Sequence, residues 1–494
     1  MMIDFNKINS YKENNRLEVK KAAGGLPQSI WETYSAFANT NGGVILLGVE
    51  ENSDKTLNIV GVSNPEKLIS DFWNTVNNLQ KISFNILFDR HIKIEEIDGK
   101  KIIAIEVPRA DRALKPIYLN QKPFIETYRR NGEGDYRCSR EMVQAMIRDN
   151  GNSTQDMLVL DKMSFDVFDY ESVKRYRNRM KVTRIGHVWG DLEDIEFLQK
   201  LGAIGIGEDD KKHPTAAGLL MFGFEYEIVR EYPHYFLDYQ ENFDSNLRWT
   251  DRIISTSGEW SGNLYDFFFK TYNKLIQNPN IKIPFKMENG LERIDDTQVH
   301  KAIREALANC LTNADFYGER GLVIKNYPNE IIIENPGAFR VTLGEAISGG
   351  VSSPRNSVIL KMFNLLDIGE RAGSGIPNIY RTWREQNFSE PIYSELFEPD
   401  RTILTLKIKK VPIKSTDKKV PITSTDKKQT EKTKRQKEII LEFIRENKNI
   451  KSIDLLEILD VKEERIKKLL QLLVADGLII AEGGNRNRTY RLSE

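Results

Sequence analysis

Glu305-Ala306-Leu307-Ala308-Asn309 and, farther along, Gly373-Ser374-Gly375 decide how this chain folds. A carboxylate and an amide four residues apart share one side of a helix. Val299, Ala302, Ile303, Ala306 and Cys310 form the apolar arc of that helix, which leaves Glu305 and Asn309 on its edge, able to line a pocket wall. Mg²⁺ takes oxygen ligands and keeps several waters, so one amide oxygen plus phosphates is a workable set. A carboxylate beside it can polarise an attacking water. Arg371-Ala372-Gly373-Ser374-Gly375-Ile376 supplies a backbone that can come close to phosphate. Ser348 to Ser353, with Gly349 and Gly350, can act as a lid. Glu and Asn at this spacing also occur on solvated helix edges, so spacing alone leaves a plain surface helix open.

Working outward, Asp295-Asp296-Thr297 reads as a cap, and the helix it starts runs to about Asn313. Residues 323–327 and 330–334 read as a hairpin turning at Pro328-Asn329, and Arg401 to Lys409 alternates and closes the sheet. Residues 210–410 are therefore a second α/β unit. Before it, residues 1–150 form a mixed α/β domain, with a helix from Ile30 to Asn39, a strand from Val44 to Val49, and strands near 101–107 and 124–130. Residues 151–209 read as a helical connector. The apolar run Ala216 to Phe224 reads as a core strand. The aromatic residues of 225–290, such as Tyr235, Phe236 and Trp249, read as core, with base stacking as the alternative.

Two nine-residue copies follow, VPIKSTDKK at 411–419 and VPITSTDKK at 420–428. Two units are too few for a solenoid. Proline, lysine and low apolar content make residues 411–433 a flexible linker. From residue 409 to 437 there are 11 basic and 3 acidic residues, although the net charge of the chain is +0. Residues 434–494 then show three helical patterns and two short strands, the order of a winged helix-turn-helix. Its third helix carries Lys462, Arg465, Lys467 and Lys468, and the wing Arg486, Arg488 and Arg491. Such a helix can enter the major groove, with Lys462, Arg465, Lys468, Arg486 and Arg488 on DNA. Protein contact or dimerisation is the alternative use, and Glu463 and Glu464 weaken the electrostatics for DNA.

A chain of 494 residues exceeds one core, so three or four domains are expected. No apolar run approaches a membrane span, and the first residues lack the segments of a signal peptide. Two cysteines, Cys138 and Cys310, make no disulfide framework, and a reducing cytoplasm is expected. The five histidines are scattered without zinc spacing. No Gly-x-x-x-x-Gly-Lys-Ser/Thr loop occurs, so a helicase motor is not expected.

The run Arg304 to Phe316, Ile333-Glu334-Asn335-Pro336-Gly337, Ser353-Pro354-Arg355-Asn356 and the Gly373/Gly375 loop together resemble a known domain. It is the Bergerat-type (GHKL) ATPase-like domain of bacterial Schlafen-related proteins, the RecG-like C-terminal region. The resemblance implies ATP with Mg²⁺, Glu305 as general base and Asn309 as metal ligand. It also implies Gly373 and Gly375 at the phosphates, with Asn335 and Gly337 near the adenine. This chain has Asn313-Ala314-Asp315-Phe316 where relatives often carry His-Arg-Asp-Tyr, and Glu334-Asn335-Pro336-Gly337 where an aspartate with spaced glycines is usual.

Residues 13–20, 34–43, 48–51 and 128–132 resemble the Schlafen AlbA-like domain, over nearly all of residues 10–145. Nuclease-active members use three carboxylates, and the matching positions are Glu13, Glu18 and Glu51. The resemblance implies Mg²⁺ or Mn²⁺ there, with Glu51 in place of a more usual aspartate. Lys20 can steady a phosphate, and Arg129 and Arg130 are further candidates for nucleic-acid contact. The alternative is a non-catalytic domain whose acids are solvated or paired with Arg129 and Arg130.

The chain is thus expected to be a multidomain α/β protein with an AlbA-like domain, a Bergerat-type α/β sandwich and a winged helix. Three functions remain open. One is a nucleotide-responsive, DNA-binding transcriptional regulator. Another is a metal-dependent RNA or DNA nuclease of stress or phage defence. The third is an inert, oligomeric scaffold. The expected partners are DNA or RNA and ATP, with self-association possible and no membrane.

Overall fold

A computed structural model describes residues 13–281, 287–288, 292–293, 297–369, 373–397, 399–408, 439–445, 447, 450–455, 458–459, 463–475, 478–482 and 489–492. The chain divides into two compact units, Met1–Val411 and Pro412–Glu494.

The first unit begins with a four-stranded sheet ordered Leu17–Lys20, Gly43–Leu47, Lys100–Val107, Ile92–Ile97. The first two strands run parallel, with Glu18 opposite Ile45, and the other pairs are antiparallel. One face packs Leu17 and Val19 with Val44, Leu46, Ile102 and Ala104. The other packs Ile45, Leu47, Ile103 and Ile105 under the helices Ile30–Asn39 and Pro65–Val76, through Tyr34, Phe37 and Phe72. Gly48, at φ +88, breaks the run after Leu47, and Val49–Glu51 leaves the sheet to pair with Leu57–Ile59. A side chain at Gly48 would also press on the Gly61 backbone, at 3.0 Å.

The second sheet has six strands, ordered Asp251–Ile254, Leu237–Glu241, Leu322–Tyr327, Glu330–Pro336, Asp400–Lys407, Ile392–Phe397. The hairpin of 322–336 is antiparallel with Pro328-Asn329 at its turn. Asp400–Lys407 pairs on both sides and is not the last strand; Ile392–Phe397 lies outside it. Leu264–Leu275, Gln298–Asn313, Ser357–Asn364 and Gly375–Glu385 contribute to one core with this sheet. The connector helices Tyr170–Thr183 and Asp194–Leu201 place Val173, Tyr176, Phe197 and Leu198 in that same core, so they pack as part of the unit rather than as a spacer. Tyr176 donates to the Met362 carbonyl at 2.7 Å, which ties connector to sheet unit.

Ala216–Phe222 is a helix, not a strand. All seven of its residues are buried, so it has no polar face to reveal a 3.6-residue period. Its cap, Thr215, accepts from Gly218 N–H at 3.1 Å. Gly218 is required there, since a Cβ would fall 2.2 Å from the Ala203 carbonyl oxygen.

Gln298–Asn313 starts where its cap predicts. The Thr297 hydroxyl accepts from His300 N–H at 3.3 Å, and His300 Nδ1 accepts from Thr297 N–H at 3.4 Å. Thr297→Ala is expected to cost about 1 kcal/mol, measured by urea unfolding.

In the second unit, residues 439–445 are helical, Ser452–Leu455 is a 3₁₀ turn, Glu463–Ala475 a helix, and Ile479–Glu482 and Thr489–Leu492 an antiparallel ribbon. Ile440, Ile444, Ile466, Leu469, Leu470 and Tyr490 share its core. Lys462, Arg486, Arg488, the side chains of Arg465 and Lys468, and the 411–433 linker lie outside the described residues. Among the described residues, no helix is long and apolar enough to cross a membrane.

Candidate nucleotide pocket and N-terminal carboxylates

Val299, Ala302, Ile303, Ala306 and Cys310 are all buried, which fixes the rotation of Gln298–Asn313 about its axis. Glu305 and Asn309 are then half-buried at its edge. Asn309 Nδ2 donates to Glu305 Oε1 at 3.2 Å, which turns the side-chain Oδ1 of Asn309 away from that carboxylate oxygen. Both side chains line one pocket with Asn335, Gly373 and Gly375. Its cavity is about 120 Å³, space for several waters at roughly 10–15 Å³ each, so side chains do not plug it. Ile333, Thr402 and Leu404 line it from the sheet, and Val351, Ser352 and Ser353 from the expected lid.

Close approach sets both glycines. A Cβ at Gly375 would lie 2.1 Å from Glu305 Oε1 and 2.8 Å from Asn309 Nδ2. Gly373 adopts φ +65, and a Cβ there would meet the Val351 carbonyl at 2.7 Å. The backbone thus comes as near the acid and amide as it can. An amide oxygen beside a cradle without side chains fits Mg²⁺ and phosphate, and Asn309 is the residue that would hold the ion. Arg371 and Ala372 of this loop lie outside the described residues.

Gly337 is not brought into the pocket. Its φ is +98, and the space a side chain would take holds the Arg355 guanidinium, 2.5 Å from the Cβ position. It lines instead a second cavity, with Arg109, Arg112 and Lys115 of the N-terminal domain. Sequence reasoning missed two further residues. Arg340 lines the pocket, its side chain only 6% exposed. Tyr393 lines it too, and burial pushes its phenol well above the usual range. The signal for Arg340 was its place three residues after Gly337, but sequence does not tell a buried arginine from a surface one.

Glu13, Glu18 and Glu51 are brought into one neighbourhood. Burial pushes the Glu13 carboxyl above its ordinary range, and the charges of Glu18 and Glu51 push the same way, against the Val19 N–H bond to Glu13 at 2.9 Å. Two of the three acids are already paired with cations, however, while Glu13 accepts from the Val19 N–H. Glu18 meets Lys20 at 2.5 Å and Arg130 at 2.8 Å, and Glu51 meets Lys55 at 3.1 Å. Among the described residues, no group of three or more His, Cys, Asp or Glu is placed to hold a metal ion. The carboxylates therefore do not fit Mg²⁺ or Mn²⁺ in this arrangement.

The two arginines expected on nucleic acid point inward. Arg129 is 6% exposed, pairs with both oxygens of Asp400, donates to the Phe397 carbonyl at 3.3 Å, and lies 5.4 Å from the Phe397 ring centroid. Arg130 is 3% exposed, bridges Glu18 and Asp135, and sits over the Phe37 ring. Neither offers its guanidinium to a phosphate here. Lys20, paired with Glu18, is partly exposed.

Residues 11–139 match Schlafen, AlbA_2. Residues 144–238 match a domain of unknown function, DUF8451. Residues 319–405 match the family described as "Putative ATP-dependent DNA helicase recG C-terminal". That last match contains Asn335, Gly337, Gly373 and Gly375, while Glu305 and Asn309 precede it. Among solved structures, the DIP2311 protein of Corynebacterium diphtheriae aligns over 97% of this chain and 92% of its own, at 16% identity and TM-score 0.41. The N-terminal domain of a RecG-related protein from Nitrosomonas europaea, titled a putative ATP-dependent DNA helicase, aligns over 27% of this chain and 89% of its own, at 28% identity and TM-score 0.21. No curated protein matches the chain. With its fold a multidomain α/β one, the chain carries a Schlafen AlbA_2 domain at residues 11–139 and a recG C-terminal ATPase-like domain at residues 319–405, which ties it to nucleic-acid-related function.

Proposed function

We propose that this protein binds nucleic acid in response to a nucleotide and acts as a DNA-binding transcriptional regulator. The observation that carries this is the single pocket that gathers Glu305, Asn309, Asn335, Gly373 and Gly375. In this proposal ATP occupies that pocket, with Mg²⁺ on the Asn309 carbonyl oxygen offsetting phosphate charge. Gly373 and Gly375 admit the phosphates, and Glu305 stands where a general base would. The C-terminal unit serves as a winged helix on duplex DNA, and nucleotide occupancy changes its affinity. The ion pairs of Glu18 and Glu51 favour binding over cleavage in the N-terminal domain.

Calorimetry with a non-hydrolysable ATP analogue and Mg²⁺ tests the first half. Asn309→Ala is expected to weaken binding at least tenfold, about 1.4 kcal/mol. No heat with the wild-type chain ends the nucleotide assignment. Gel shifts with duplex DNA, with and without the analogue, test the second half. Absence of binding in both states ends it.

A further inference from the structure

The seam between the N-terminal domain and the six-stranded sheet holds more cations than acids. A cavity of about 40 Å³ there is lined by Arg109, Arg112, Lys115, Arg129, Arg340 and Arg355, against Asp149, Asp315 and Asp400. The acids are spoken for. Asp400 pairs with Arg129, Asp149 with Arg355, and Asp315 with Arg148 at 2.9 Å. Arg109 takes Glu395 at 2.7 Å.

Arg112, Lys115 and Arg340 are left with oxygens that are mostly neutral. Arg112 donates to Ser353 Oγ at 3.1 Å and the Asp149 carbonyl at 2.8 Å. Among the described residues, the hydrogen bond of Lys115 Nζ goes to the Asn39 carbonyl, at 2.9 Å. Arg340 donates to the carbonyls of Pro354 at 2.6 Å and Asp149 at 3.3 Å. Among the described residues its Nε has no hydrogen-bond partner, and it lies 3.9 Å from Asp149 Oδ1.

Carbonyl dipoles soften a buried charge but do not neutralise it, and a buried charge without a counter-ion costs several kcal/mol. The strain shows in both side chains. Burial, with Arg109 and Arg129 close by, holds the Lys115 ammonium far below its ordinary range. Burial, with Arg355 and Arg112 adding to it against Asp149, brings Arg340 down to about 10. The cavity holds about three waters at 10–15 Å³ each, which is on the scale of one phosphate group.

We infer that this seam is a phosphate-binding site in which Arg112 and Lys115 from the N-terminal side and Arg340 from the sheet side grip one phosphate group. The donors come from both sides, so the bound group staples the two together. The group comes either from a free phosphate compound or from a nucleotide in the adjoining pocket, which Arg340 also lines. The site does not depend on the nucleotide proposal, because Lys115 and Arg112 lie outside that pocket.

Pyrophosphate is the probe, titrated into the full chain at constant ionic strength set by sodium chloride, with Tm and calorimetric Kd as readouts. The wild-type Tm is expected to rise with pyrophosphate. Lys115→Met and Arg112→Gln are each expected to weaken binding at least tenfold. Without pyrophosphate, the Tm of each variant is measured first, and Arg112→Gln provides a second variant should Lys115→Met fail to fold. Asn309→Ala is expected to keep the response. No response in the wild type, or an undiminished response in Lys115→Met and Arg112→Gln, overturns the inference. A response lost in Asn309→Ala but kept in Lys115→Met also overturns it, by placing the phosphate in the nucleotide pocket. Given a pyrophosphate response that Lys115→Met loses, the ATP analogue separates the sources. Weaker analogue binding in Lys115→Met supports the site with nucleotide phosphate, and unchanged analogue binding supports it with free phosphate.

Discussion

Asp149→Ala is expected to destabilise the first unit by about 3–5 kcal/mol, the range for removing one partner of a buried ion pair. Asp149 ends the helix Arg140–Asn150 and accepts from Arg355 Nε at 2.9 Å and from an Arg355 terminal nitrogen at 2.7 Å. The Arg355 side chain is 5% exposed, and Gly337 lacks a side chain just where the guanidinium passes. Without the carboxylate, Arg355 keeps, among the described residues, its bonds to the carbonyls of Asn313 and Ala338 and the charges of Asp315 and Asp400, in the field of Arg340. Fitting a substitute cation-free packing is not open to a single change, so the loss is close to the full desolvation cost. Thermal and urea unfolding measure it, and a loss under about 1 kcal/mol would show that charge does not hold the seam.

The same pair sets a pH dependence. Burial alone raises the Asp149 carboxyl, but Arg355 first, then Arg340 and Arg148, outweigh it and leave the group below its ordinary range. A depressed folded value means that the folded state favours the ionised acid. Its contribution is therefore fully present above the unfolded value, about 4, and is lost as pH falls through the folded value. Asp149→Asn is expected to flatten the acid limb of the stability curve. An unchanged limb would assign that limb to other carboxylates.

Local signals were legible and long-range ones were not. Gln298–Asn313 could be read because its cap, its apolar arc and its polar edge all lie within one helix. The hairpin of 322–336 could be read from alternation and a Pro-Asn turn. That Glu13, Glu18 and Glu51 converge followed from their places around two strands that the structure pairs or abuts. What pairs with Glu18 did not, because Arg130 comes more than 100 residues after it. Arg129 is the extreme case, since its partner Asp400 lies 271 residues downstream. A sequence displays the charge on Arg129 and Arg130 but not its burial, and an unpaired arginine on a strand reads like a nucleic-acid contact. Gly337 failed in the same way. Its motif placed it at the base of a nucleotide, while the arginine that fills its empty side-chain volume is known only from the fold.

Arg130→Met is expected to cost about 3–5 kcal/mol of N-terminal domain stability, with little direct effect on nucleic-acid binding by the folded protein. The Arg130 side chain is 1% exposed and meets Glu18 at 2.8 Å and Asp135 at 2.9 Å. It also donates to the carbonyls of Asn14 at 3.0 Å and Leu17 at 3.3 Å. Five donors in a rigid fork make these contacts together, and a lysine carries only three on a point charge. Arg130→Lys should therefore recover less than half of the loss. A phosphate contact behaves differently: its removal leaves the melting point alone and lowers the salt slope of binding by about 1. Measured below the melting point of the variant, Arg130→Met should keep the wild-type salt slope while its N-terminal domain melts at lower temperature. The opposite pair of results, an unchanged Tm with a slope reduced by about 1, would mean that Arg130 leaves Glu18 to meet nucleic acid in the bound state. Glu18 would then be released from one of its two cationic partners, and the carboxylate cluster would recover part of the charge that a metal ion needs.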